Sequence, residues 1–131
     1  MFELILQFTN EQRSIIHLIL HVLVPMLVAL VFVPKAHWKG VWLVLVATMA
    51  VDIDHLLATP IYAPNRCSIF FHPLHQMLPI SFYALMTVWP VVKRWLKGSI
   101  KPFDAWLGWV GVGLLIHMLL DGLDCVWMKV S

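Results

Sequence analysis

The sequence predicts an all-α integral membrane protein, a bundle of about four transmembrane helices forming one domain over residues 1–131. Three observations predict it. First, the chain is 61% hydrophobic and 12% charged, against about 45–50% apolar and about 25% charged in soluble domains. A water-soluble fold of 131 residues cannot hide that much apolar surface, so lipid must cover it. Second, apolar runs close to 20 residues recur, the length a spanning helix needs. Third, these runs are continuously apolar, whereas barrel strands alternate with period two. Helices and closed barrels are the only folds that satisfy every backbone group in lipid, which leaves helices.

The first span is read as Ser14–Val33 and the second as Gly40–Ala58. The third, Leu74–Val92, is short and carries Pro79 and Pro90. The fourth is Asp104–Cys125. Pro34, Gly40, Pro60, Pro64, Gly98 and Pro102 punctuate the connections. Residues 1–12, with Phe2, Leu4, Ile5, Leu6 and Phe8, suit a short amphipathic interfacial helix. A signal peptide needs a basic start and a small-residue cleavage site. Here Glu3 and Glu11 accompany Arg13, and no such site follows. Gly108, Gly111 and Gly113 are expected to permit close helix contact on the fourth span.

The net charge of +2 comes without any dense basic run, so nucleic acid is not an expected partner. Cys67 and Cys125 form no Cys-x-x-Cys pair, which excludes a zinc ribbon or a thioredoxin-type centre. Both fall on one membrane face, as a disulfide or as two free thiols. Orientation follows from the cationic loops. The 1–2 and 3–4 connections hold six cations, Lys35, Lys39, Lys93, Arg94, Lys97 and Lys101, against three, Arg13, Arg66 and Lys129, on the other side. The termini and the 2–3 loop are therefore expected outside a bacterial inner membrane. Trp38, Trp42, Trp89, Trp95, Trp106 and Trp109 fall near the basic side, as an interfacial belt does.

The ionisable residues gather on the opposite side. His17 and His21 start the first span; Asp52, Asp54 and His55 end the second; His72 and His75 lie in or after the loop; His117 and Asp121 end the fourth. His17/His21 and His117/Asp121 are each four apart and share a helix face, as do Asp52 and His55 at three. Folding the first two spans together brings His21 level with Asp52 and His17 level with His55. Thr48 sits one turn below Asp52, within hydrogen-bonding reach of it. Asp124 reads as a solvated end residue or an outer partner. An aspartate inside an apolar helix costs about 2.5–3.5 kcal/mol on insertion scales. A cluster this dense needs a common partner, and a divalent cation neutralises carboxylates while accepting neutral imidazole. The expected ligands are His17, His21, Asp52, Asp54, His55, His72, His75, His117 and Asp121. One to three ions are expected, Zn²⁺ ahead of Mn²⁺ or Fe²⁺.

The motifs Asp52-Ile53-Asp54-His55, His72-Pro73-Leu74-His75 and His117-Met118-Leu119-Leu120-Asp121, preceded by His17/His21, resemble those of the YdjM-type family of membrane-bound metal-dependent hydrolases. The likeness covers nearly the whole chain, except that the loop spacing is His-x-x-His and no arginine follows His72, which leaves Arg66 as the candidate for that arginine's role on an anionic substrate. It implies kinship with zinc-dependent phospholipase C and zinc single-strand nucleases, and so a phosphoester substrate.

The functional expectation is a metal-dependent hydrolase at the outer leaflet, acting on an amphiphilic or lipid-linked phosphoester, with Asp52 or Asp54 as proton acceptor. A zinc amidase stays within the same chemistry. A haem carrier fits the histidines but not the aspartates. A transporter requires polar residues running through to the basic side. A bundle of four helices also leaves room for a homo-oligomer.

Overall fold

A computed structural model describes residues 10–63 and 65–130. The described residues form four long helices and two 3-10 segments, with no strand among them. Helix α1 is Asn10–Phe32, α2 is Trp38–Ala47, α3 is Met77–Lys97 and α4 is Pro102–Val130. The interfacial helix expected over residues 1–12 falls mostly on residues 1–9, outside the described residues.

Helix α4 is the hub and packs against the other three helices. Its glycines explain how closely. A Cβ on Gly108 would stand 2.7 Å from the Pro90 ring, and one on Gly111 would stand 2.6 Å from the Thr87 backbone nitrogen, so both glycines let α3 lie against α4. On another face, a Cβ on Gly113 would stand 2.7 Å from the Thr48 side chain. Pro90 thus costs the helix a backbone hydrogen bond but seats its ring where α4 has no side chain.

The expected second span departs from a regular helix. The α-helix stops at Ala47, and Thr48–Leu57 continues as a 3-10 helix. With three residues per turn, side chains at i and i+3 eclipse, and burial has that period. Thr48, Val51 and Asp54 are buried; Met49, Asp52 and His55 are half-buried; Ala50, Ile53 and Leu56 are exposed. An α-helix would have spread these residues over 100° steps. This also corrects the expectation for Thr48, which lies in the Asp54 column and donates its hydroxyl to the Leu45 carbonyl instead of to Asp52.

Three helices are long and apolar enough to cross a membrane: Asn10–Phe32, Trp38–Leu57 and Pro102–Val130. The remaining expected span, the third, is α3, with 21 residues. Its Pro79, Ser81, Tyr83, Thr87 and Pro90, with Lys93, Arg94 and Lys97 in the last turns, dilute its hydropathy. It starts three residues later than Leu74 because Pro73–His75 form a separate 3-10 turn. Much of the exterior is apolar, including Leu18, Ile53, Leu78, Leu85 and Leu119. Where the helices meet, the half away from the histidines is filled by Ala29, Val41 and Leu45.

Candidate metal centre

Two ridges with the same spacing build the first wall of the site. On α1, Arg13, His17, His21, Pro25 and Ala29 recur every four residues, all buried but the half-buried His17. On α4, Gly113, His117, Asp121 and Cys125 do the same, all buried. Such i±4 rows are the ridges by which helices interlock. The two helices run antiparallel, so partners match in rungs. Arg13 Nε lies 3.4 Å from Asp124 Oδ1, His17 Nε2 lies 3.1 Å from Asp121 Oδ1, and the His21 and His117 rings meet edge-on at 4.5 Å. The ridge on α1 therefore faces α4, whereas depth alone matches it with the second span.

The second wall is the 3-10 helix, whose period of three sets its two carboxylates to different tasks. Asp54, in the buried column, points into the bundle and accepts hydrogen bonds from the Leu74 backbone N–H at 2.8 Å and from His75 Nδ1 at 3.0 Å. Asp52, one column over, has 35% of its side chain exposed against 2% for Asp54. Its Oδ1 lies 3.2 Å from His55 Nε2, 3.4 Å from His75 Nε2 and 2.9 Å from His117 Nε2. The loop that delivers His75 is held from several directions. Phe70, in the left-handed region at φ 64°, donates its N–H to the His75 carbonyl and accepts from Gln76 Nε2. The Tyr83 hydroxyl of α3 donates to the Leu74 carbonyl at 3.0 Å.

Asp121 joins the two walls. Its Oδ1 faces His17 Nε2 and, at 3.4 Å, His21 Nε2, while its Oδ2 faces His75 Nε2 at 3.1 Å and His117 Nε2 at 3.4 Å. These atoms are close but mostly not hydrogen-bonded. His21 Nε2, His55 Nε2, His75 Nε2, Asp54 Oδ1 and Asp121 Oδ2 are buried without a hydrogen-bond partner. Buried polar atoms are rarely left so. Atoms that aim at a shared point, and not along one another's lone pairs, are arranged as ligands are. Two of the outer nitrogens agree, whereas His117 Nδ1 is buried without a hydrogen-bond partner. His75 Nδ1 is occupied by Asp54, and His21 Nδ1 lies 2.9 Å from the His17 carbonyl, which it can serve only as a donor. Each outer hydrogen bond leaves Nε2 with its lone pair turned inward, the arrangement that orients metal-ligating histidines.

Among the described residues, the side chains form three overlapping groups able to hold a metal ion. They are His17, His21 and Asp121; Asp52, His75, His117 and Asp121; and Asp52, Asp54, His55 and His75. An imidazole nitrogen has one lone pair, so His75 Nε2 serves the second or the third group but not both. A carboxylate has two oxygens, so Asp121 can bridge the first and second. The residues present thus fit a divalent cation, by donor type and by their unpartnered buried atoms. Eight of the nine residues expected as ligands belong to these groups. His72 stands outside them. It is buried, with its ring stacked on His55 at 3.8 Å, and burial together with the neighbouring His55 holds its imidazole below the usual histidine range. Without a cation, three carboxylates surround His75. Burial opposes its charge, but the nearby carboxylates of Asp121, Asp52 and Asp54 prevail and push it up to about 10.

The model of a family of unknown function, DUF6122, matches residues 12–100. The chain belongs to that family. The matched stretch carries His17, His21, Asp52, Asp54, His55, His72 and His75, and it ends before His117 and Asp121. No curated protein and no solved structure matches the chain. Membership of DUF6122 brings no reaction with it, and the family match does not link the chain to YdjM-type hydrolases, so function must be argued from the site.

A pocket of about 310 Å³ opens over the cluster of this DUF6122 chain. His17, Asp52, His55 and Asp121 reach its floor, and Arg13 and Arg66 its sides. Cys67 and Cys125 are joined in a disulfide that ties the loop bearing Arg66 to the end of α4. Sequence reasoning missed Arg13 as part of the site. The signal was present, since Arg13 continues the four-residue register of His17 and His21.

Proposed function

We propose that this protein is a membrane-embedded hydrolase dependent on a divalent metal, Zn²⁺ favoured, acting on a phosphoester of a lipid or lipid-linked molecule at the extracytoplasmic face. The observation that carries the reading is the convergence of five histidine Nε2 atoms and three aspartates beneath one pocket, many of these atoms buried and unpartnered. A buried ion-pair network alone would more often satisfy its members.

When bound, the cation would acidify a water and offset charge developing on phosphoryl oxygens. The chain's own groups divide the remaining work. Asp54 is committed to His75 and the Leu74 N–H, so it positions. Asp52 reaches the pocket and is the better proton acceptor. Zn²⁺ suits a donor set of imidazole and carboxylate without thiolate.

Membrane placement rests on the three apolar helices, with α3 completing a four-span bundle along α4. Orientation rests on the cation asymmetry, with the basic loops in the cytoplasm of a bacterium. The disulfide lies on the histidine side, which suits an oxidising compartment. A transport path finds no support in the apolar packing of Ala29, Val41 and Leu45 beyond the cluster. The test is elemental analysis of detergent-purified protein beside hydrolysis of phospholipid in mixed micelles. At least one divalent ion per chain, with hydrolysis lost on chelation and restored by Zn²⁺, is expected. Protein that stays metal-free when offered Zn²⁺ would sink the reading.

A further inference from the structure

We infer that Arg66 seats the anionic oxygen of an amphiphilic phosphoester over the cluster, and that the apolar part of that substrate leaves the pocket along Leu18 and Ile61. The inference rests on the hydrolase reading and adds to it the recognition residue and the route of approach.

Two arginines line the pocket, and their surroundings differ. Arg13 is buried on α1 beside Asp124, a counter-charge of its own. Arg66 is half-buried, and it pairs with no carboxylate among the described residues. One of its nitrogens, Nη1, donates to the Pro60 carbonyl at 2.7 Å, and its guanidinium carbon lies 4.6 Å from the centre of the Phe71 ring. Those two contacts set the plane of the group and use one of its five N–H donors. The neighbouring residue, Cys67, is tied to Cys125 on α4, the helix that carries Asp121. The guanidinium is therefore held in place relative to the cluster, with donors to spare and a net positive charge. An oxyanion is the ligand such a group recognises best.

The rest of the lining says what carries the oxyanion. Leu18 and Ile61 line the same pocket, yet they are 57% and 56% exposed. Tyr62 beside them is 64% exposed, and its hydroxyl reaches Ser14 on α1 at 3.1 Å. One side of the mouth, at Leu18 and Ile61, is therefore apolar and continuous with the apolar exterior. A soluble phosphate ester would leave that apolar side unused; a membrane lipid would keep its tail in contact with it.

The test uses Zn²⁺-loaded protein in detergent and two substrates, bis(p-nitrophenyl) phosphate in solution and an anionic phospholipid in mixed micelles, with inorganic phosphate as a binding probe. Hydrogen bonds to charged groups are worth about 1.5–3 kcal/mol, so Arg66→Gln should weaken phosphate binding in calorimetry by roughly tenfold or more. KM should rise similarly on both substrates, with kcat within about twofold and metal content unchanged. Ile61→Asn should raise KM for the lipid alone. Phosphate affinity within about twofold of wild type in Arg66→Gln would overturn the recognition role. Equal effects of Ile61→Asn on both substrates would overturn the lipid route. Wild-type protein without bound metal is a separate result, which removes the hydrolase reading first.

Discussion

Asp121→Asn is the sharpest perturbation of the centre, because this carboxylate belongs to two of the three ligand groups and serves each through a different oxygen. The amide keeps the shape but has one oxygen. Whichever way it turns, an NH₂ faces either His17 and His21 or His75 and His117, and an amide nitrogen is no ligand to a cation. Turned toward α1, the NH₂ leaves His17 and His21 as the only donors of their group. Turned the other way, it leaves Asp52, His75 and His117. The group of Asp52, Asp54, His55 and His75 is untouched in both cases. Metal per chain should therefore fall by one ion without necessarily reaching zero. Loss of the anion also strips counter-charge from four histidines, and breaking a buried ion pair costs about 3–5 kcal/mol, so the metal-free variant should melt well below metal-free wild type. The assay is elemental analysis after equilibration with Zn²⁺ and gel filtration, with a thermal melt on the same sample. Unchanged stoichiometry in Asp121→Asn would refute the bridging role and with it the argument from convergent atoms.

Three further outcomes are expected. His75 in the metal-free protein is raised from the ordinary 6.5 to about 10. Its contribution to stability is therefore complete below pH 6.5 and lost as pH climbs toward about 10; the metal-free melting temperature should fall across that window, while Zn²⁺ affinity rises as the ligands lose protons. A flat metal-free profile would contradict the ion pairing. Gly113→Ala puts a Cβ 2.7 Å from Thr48 and 3.1 Å from the Leu45 Cα, and such overpacking costs about 1–3 kcal/mol. Gly122→Ala, with nothing within 4 Å, is the control expected to be near neutral in the same melt. Cys67→Ser opens a link across a sequence separation of 58. Loop-closure entropy puts the loss at about 4 kcal/mol, and non-reducing against reducing electrophoresis of a proteolytically nicked sample should reveal the link in wild type only.

Much of this site is legible in the sequence because ionisable residues are conspicuous in an apolar chain. His17 with His21, and His117 with Asp121, are spaced for one helix face, and their position along the spans places them all at one end. The glycines of the fourth span announce close packing for an equally local reason, the absence of a side chain. Arg13 is legible in principle through the same four-residue register, but near a chain end it reads first as an interfacial cation.

The sequence by itself determined the features that composition and short-range period control: helices, an apolar exterior, and a polar cluster at one end of the bundle. Only the tertiary structure decided the tasks of individual groups. The switch from α to 3-10 geometry at Thr48 has no distinct local mark, since it answers to packing against α4, yet it sends Asp54 inward to hold His75 and leaves Asp52 facing the pocket. The pairing of α1 with α4, the two-sided use of Asp121 and the seat of Arg66 are contacts between residues far apart in sequence. Periodicity describes one helix at a time and holds no information about which neighbour its face will meet.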